Sequence, residues 1–250
     1  MAQRNKAAMQ TRSGFFRRID PLTSLLLVFP LFLIYELGVL LIPSAYNGAD
    51  VITREIVHLL HGRVPLYVGL NAGLAVIFLV VVLVLRRRHS FDPKMIWPVL
   101  IESTLYALSM GTFICFVMVD LMHIDPRLSL APLDAGGAPP QSLVASLIVS
   151  IGAGVHEELI FRVVILGGLA VLLERVLGLS RRFALAFAFL ASAVLFSAAH
   201  HVIGGEPFRI GAFTYRVLCG LFFASLYQWR GVAIAVYTHA LYDIYVFVFR

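Results

Sequence analysis

The chain has 250 residues, of which 60% are hydrophobic and only 14% charged, with a mean hydropathy of +0.90 and a formal net charge of +6. Soluble domains carry about 25% charged residues, so this composition excludes a soluble fold, and the long uncharged runs lack the alternation of a membrane β-barrel. The basic residues cluster at the ends of apolar runs, as topology signals do, which argues against a nucleic-acid partner.

Residues 1–20 carry Arg4, Lys6, Arg12, Arg17 and Arg18 and read as a basic cytoplasmic arm. The first apolar run is long and has no small-residue cleavage site after it, so no cleavable signal peptide is expected. Pro21 can open a helix, and residues 22–42 form a first span whose lone acid, Glu36, is expected to pair with another helix. Residues 43–65 are more polar and include a short surface helix over Asp50 to Gly62 on the external side. A charge-free second span, 66–85, stops at Arg86, Arg87 and Arg88. A third, 95–121, has Glu102 and Asp120 near its ends, and a Pro-, Gly- and Ala-rich external loop follows from His123 to Gln141. Cys115 and Cys219 both lie in apolar runs and read as small core residues, with no disulfide or zinc-cysteine pattern.

Residues 142–161 form a fourth span containing Glu157, Glu158 and Arg162 at its end. Charges at bilayer depth are costly unless paired or hydrated. Glu158 and Arg162 are four apart and share a helix face, so they can pair, while Glu157 points about 100° away and is free to face a cavity. The apolar run 163–173 is short for a crossing, and spans follow over 183–200, 211–228 and 231–249. If 163–178 crosses, there are eight spans and both termini are cytoplasmic; if it lies at the interface there are seven. Adjacent spans run in opposite directions, so an intervening crossing is expected to bring Glu157 and His200 to one face, although Arg175, Arg181 and Arg182 would then be external. The fold class is therefore all-α, a polytopic membrane bundle of about eight transmembrane helices. It divides into the arm 1–20, accessory helices and external loop over 21–141, and a catalytic core in the C-terminal half over 142–250.

The later spans hold few polar residues: Phe196 and His200 end one, and His239 and Asp243 share a face of another. The order Glu-Glu-x-x-x-Arg, Phe-x-x-x-His, His-x-x-x-Asn/Asp resembles the CPBP intramembrane proteases, also called the Abi or CAAX-protease family, which includes the type II CAAX prenyl endopeptidases. The resemblance covers roughly 142–249. It implies hydrolysis of a peptide bond within or near the membrane, with Glu157 as general base and His200 as its partner in activating a water. His239 and Asp243 would polarise the scissile carbonyl and hold the oxyanion. Asp243 departs from the asparagine usual in the prenyl proteases; it can donate only if protonated, or it can instead orient His239. Glu158, Arg162 and Phe196 are structural support.

The resemblance favours no cofactor, but the family was first described as metalloproteases, and Glu157, His200 and His239 could supply zinc ligands. His156 and His201 are further possible ligands whose helical phase points them elsewhere. The partners implied are a membrane-associated protein or peptide substrate and the bilayer. Prenylated proteins, bacteriocin leaders, peptide pheromones and sorting tails are all compatible substrates. The basic, compact, short-looped chain reads as prokaryotic, which places it in a bacterial inner membrane. The competing reading is a transporter, scaffold or immunity protein that uses its buried charges structurally; the polar residues concentrate in the second half, without the inverted repeat a transporter would show.

Overall fold

The computed structural model of the chain describes residues 18–42, 64–124, 142–202 and 207–249. The surface helix expected over Asp50 to Gly62, most of the basic arm and most of the loop before Gln141 lie outside the described residues. Seven helices run through the rest. Helix α1 is Pro21–Leu41 and α2 is Val64–Leu85. Helix α3 is Ile96–Phe116, entered by a 3-10 turn at Pro93–Met95 and continued by a π turn at Val117–Leu121. Helix α4 runs over 143–176, α5 is Arg181–Val202, α6 is Ile210–Arg230 and α7 is Val232–Phe249.

Local chemistry explains the ends. Asp20 caps α1 by accepting from the Thr23 amide at 3.0 Å, with Pro21 in the first turn, and Ser142 caps α4 through the Ala145 amide at 3.1 Å. Gly178 (φ 67°) and Gly231 (φ 101°) make the turns into α5 and α7 in a backbone region that other residues rarely adopt.

Five helices are long and apolar enough to cross a membrane, namely Pro21–Leu41, Val68–Leu85, Pro93–Leu121, Arg181–Val202 and Ile210–Arg230, while α7 holds a shorter apolar stretch, Val232–Phe247. The protein is thus an integral membrane helical bundle. Trp97 and Trp229 are exposed at the end of the bundle where α3 begins and α6 finishes, as expected of residues at a membrane–water interface.

The sequence-based count of eight spans is not reached by the described residues, and one element behind it is corrected. Residues 163–178 are not a separate crossing. They prolong the glutamate-bearing helix, first as a π-helical stretch, Leu159–Gly168, then to Val176, with αR backbone at Leu159, Leu169 and Leu172. The first and last described residues separate as a result. The Ile19 amide donates to the Arg230 carbonyl at 2.8 Å, so the start of α1 sits at the α6–α7 turn. From that turn α7 runs its 18 residues away, about 27 Å. Residues 18 and 249 therefore lie at opposite ends of the bundle, not on one side.

The N-terminal helices are bound tightly to the later ones. Arg230 grips Glu102 of α3 through Nε and Nη2, both at 2.6 Å, and the Tyr237 hydroxyl donates to the Leu27 carbonyl of α1 at 2.9 Å. Glu36 meets His156 of α4 at 3.7 Å, giving it the interhelical partner its position demands. Helices α4 and α7 pack closest at Gly154, where an added Cβ would lie 2.8 Å from the Ala240 amide nitrogen and 2.9 Å from the Val236 carbonyl oxygen. Backbone cannot retreat as a side chain can. Gly154→Ala is therefore expected to push α4 from α7 and to cost about 1–3 kcal/mol. Thermal unfolding in detergent checks this, and an unchanged melting temperature would contradict the packing.

Candidate active site

The site is built on α4, α5 and α7. Glu157 is 3% exposed, and two histidines from other helices converge on its Oε2: His200 Nε2 at 3.8 Å and His239 Nε2 at 3.7 Å. Asp243 Oδ2 stands 3.6 Å from the same nitrogen of His239. Four residues singled out in three separate motifs thus share one small volume. Asp243 is the most open of them, its side chain 20% exposed, so it marks the mouth.

The α4–α5 hairpin sets the depth of the first pair. Glu157 lies 20 residues before Leu177, and His200 lies 20 residues after Ser180, so the two arms of the hairpin hold the same number of residues. No intervening crossing is needed to bring them together.

The hydrogen-bond partners fix the histidine tautomers. His200 Nδ1 lies 2.8 Å from the Phe196 carbonyl, which can only accept, so Nδ1 carries the proton and a neutral His200 presents an Nε2 lone pair to the cavity. His239 Nδ1 lies 2.9 Å from Glu158 Oε1. Glu158 also accepts from Arg162 Nε at 3.0 Å and Nη2 at 3.4 Å, so it is an ionised acceptor and His239 Nδ1 is the donor. It follows that His239 Nε2 donates only in the imidazolium form.

Glu158 is therefore more than the partner of Arg162, which sequence spacing alone suggests; it joins Arg162 to His239. Arg162 is fully buried and its Nη1 donates to Ser192 Oγ at 2.9 Å, which in turn donates to the Phe161 carbonyl at 2.7 Å. The guanidinium lies over the Phe196 ring at 5.1 Å, a cation–π arrangement. Phe223 of α6 stacks flat on His239, with centroids 4.4 Å apart and an interplanar angle of 10°. Sequence reasoning missed Ser192, Phe223 and Arg216. Ser192, Phe196 and His200 are spaced by four and share one face of α5, so the first was legible. Phe223 sits in an ordinary apolar run. Arg216 is 5% exposed on α6, and no motif contains it.

His156 and His201 do not join the site. His156 is buried between α1 and α4, with Nδ1 on the Gly152 carbonyl at 3.0 Å and its ring edge-on to Tyr35. It is thus a helix-packing residue. His201 packs against Phe208 and Phe213.

Zinc bound tetrahedrally at about 2.0–2.1 Å holds its ligands about 3.3 Å apart. His200 Nε2 and His239 Nε2 lie 3.8 Å and 3.7 Å from Glu157 Oε2, wider than that. Among the described residues, no group of three or more His, Cys, Asp or Glu side chains is arranged to hold a metal ion. The chemistry proposed below uses these side chains without a metal.

No curated protein and no solved structure matches the chain. Residues 139–245 match the family described as Type II CAAX prenyl endopeptidase Rce1-like, the interval that holds every residue converging on Glu157. Through this segment the chain is similar to the CAAX-protease family of membrane endopeptidases.

Proposed function

We propose that the protein hydrolyses a peptide bond of a membrane-associated protein or peptide, using a water activated by Glu157 and His200. The observation that carries this reading is the convergence of two imidazoles and a carboxylate, from three helices, on one buried point. Separations of 3.7–3.8 Å exceed a direct hydrogen bond and leave room for a shared water oxygen. Glu157 and neutral His200 both accept, so such a water donates both hydrogens and turns its lone pairs outward, toward an incoming carbonyl. Glu157 takes one proton as the water oxygen bonds to the carbonyl carbon. His239, as imidazolium, donates from Nε2 to the oxyanion. Collapse of the tetrahedral intermediate breaks the C–N bond, and Glu157 passes its proton to the leaving amine. The products are one carboxylate and one amine.

Asp243 at the mouth flanks His239 Nε2, while Glu158, not Asp243, holds Nδ1 and so takes the orienting place. Helices α1 and α3 brace the C-terminal helices that carry the chemistry, which suits an accessory role for residues 21–141. Prenylated tails, the substrates in the family's description, stand beside leader peptides and pheromones as substrate classes.

The test compares peptides in membranes of cells with and without the protein, then adds the purified enzyme back. Peptides that accumulate in its absence are expected to be cleaved by the added protein, and cleavage is expected to survive 1,10-phenanthroline. Zinc-restorable loss would replace the water mechanism with a metal one, and no accumulating peptide would favour a structural role.

For orientation, the basic arm and Arg86–Arg88 support a cytoplasmic N-terminal end, in a prokaryotic plasma membrane. Helix α4 returns the chain to that end, so Arg175, Arg181 and Arg182 join the same basic side. The C-terminus then lies outside. In a background lacking Cys115 and Cys219, single cysteines at Gly136 and Arg250 are expected to react with an impermeant label on intact cells, while one at Asn5 is protected. Protection at Arg250 would restore an even number of crossings.

A further inference from the structure

On the far side of α4 from Glu157, a cavity of about 1790 Å³ opens between α1, α2 and α4. This is larger than the roughly 300–1,000 Å³ of ordinary small-molecule pockets. Its walls are apolar: Leu33, Leu37 and Leu40 from α1, Ala72 and Ala75 from α2, and Val155, Leu159 and Val163 from α4. Helix α2 meets α1 at the stacked pair Phe29 and Phe78, 3.7 Å apart, with Val76 and Ile77 both exposed.

One end of this groove is basic. Arg18, Arg88 and His89 line it, and Arg86, Arg87 and Lys94 stand exposed beside them. The two acids there, Asp20 and Asp92, each accept from a backbone amide at 3.0 Å, and Asp20 also lies 3.9 Å from His89. A positive excess remains at the level where lipid headgroups lie. Ser24 lines the same end, 1% exposed, and its hydroxyl has no hydrogen-bond partner among the described residues. Glu36, deeper in the groove, is engaged with His156.

We propose that this groove holds an anionic glycerophospholipid, with its phosphate at Arg88, His89 and Arg18 and its acyl chains along α1 and α4. Glu157, His200, His239 and Asp243 do not line the groove, so its occupant is not the bond being cleaved. The lipid packs against Val155 and Leu159, which flank Glu157 in the chain, and so backs the helix that carries the site.

The proposal concerns binding alone and stands whether or not the protein cleaves peptides. Its test is native mass spectrometry of the delipidated full-length protein with equal amounts of dioleoyl phosphatidylglycerol and dioleoyl phosphatidylcholine. The anionic lipid is expected to be retained over the zwitterionic one by about fivefold or more, the factor one basic contact supplies at a membrane surface. Arg18→Glu with Arg88→Glu is expected to erase the preference while phosphatidylcholine still binds, and Arg88→Lys to keep it. Ala75→Trp, which fills the groove, is expected to reduce retention of both. Equal retention by the wild type, or a preference that survives the double charge reversal, would overturn the proposal. So would full displacement by farnesol, which has no anionic head, because the groove would then be a site for an apolar tail.

Discussion

Glu157→Gln in the purified protein lowers peptide-bond cleavage by about 10²–10⁴-fold, the usual cost of losing a general base. The amide has the shape of the carboxylate, so packing around this 3% exposed side chain is preserved. What changes is chemistry: an amide cannot take the water's proton, and its NH₂ would donate to the His200 lone pair that otherwise accepts from the water. Cleavage should fall while the melting temperature stays close to that of the wild type. Measured rates above about a tenth of wild type would remove Glu157 from the role of base.

Arg162→Ala has the opposite signature. This side chain is fully buried and binds Glu158 and Ser192, with Phe196 beneath its guanidinium. Removing it breaks a buried ion pair and leaves Glu158 with His239 alone, and breaking such a pair typically costs about 3–5 kcal/mol. At about 2–4 °C per kcal/mol for chains of 150–250 residues, the melting temperature falls by roughly 6–20 °C. Activity falls as well, because Glu158 holds the tautomer of His239. The comparison is thermal unfolding of Arg162→Ala against Glu157→Ala in the same detergent; an equal or smaller drop for the arginine variant would refute the pairing as a structural anchor.

Much of this site was legible in the chain. Uncharged runs marked most of the helices, and a titratable group in each of three separate runs pointed to Glu157, His200 and His239. Spacing by four gave Glu158 with Arg162, and it could have given Ser192 with Phe196 and His200. The contact of Glu158 with His239 was out of reach, because it joins residues 81 apart whose meeting depends on how α4 and α7 pack. The same packing places Glu158 at His239 Nδ1 and Asp243 near Nε2. The helix over 143–176 was misread for a different reason. The run 163–173 reads as a short separate crossing, but the backbone continues from Glu158 into it as a wider π-helical stretch. The apolar groove was invisible for want of any period or motif: its lining comes from helices whose relative placement the sequence does not encode locally.

The α4–α5 hairpin acts as a caliper whose two jaws are Glu157 and His200. Its closure depends on the register of its two arms, and this gives the protein a particular tolerance to length changes. A residue inserted into the turn at 177–180 lengthens neither arm and leaves the jaws opposed. A residue inserted within α5 between Ser180 and His200 lengthens one arm by about 1.5 Å and swings the imidazole about 100° around the helix axis. Selection can thus edit the loop freely but must keep the two arms in register. Paired insertions, one in each helix, would restore depth without restoring facing unless they amount to nearly whole turns. The hairpin's length is therefore fixed by the chemistry at its open end as much as by the thickness of the membrane around it.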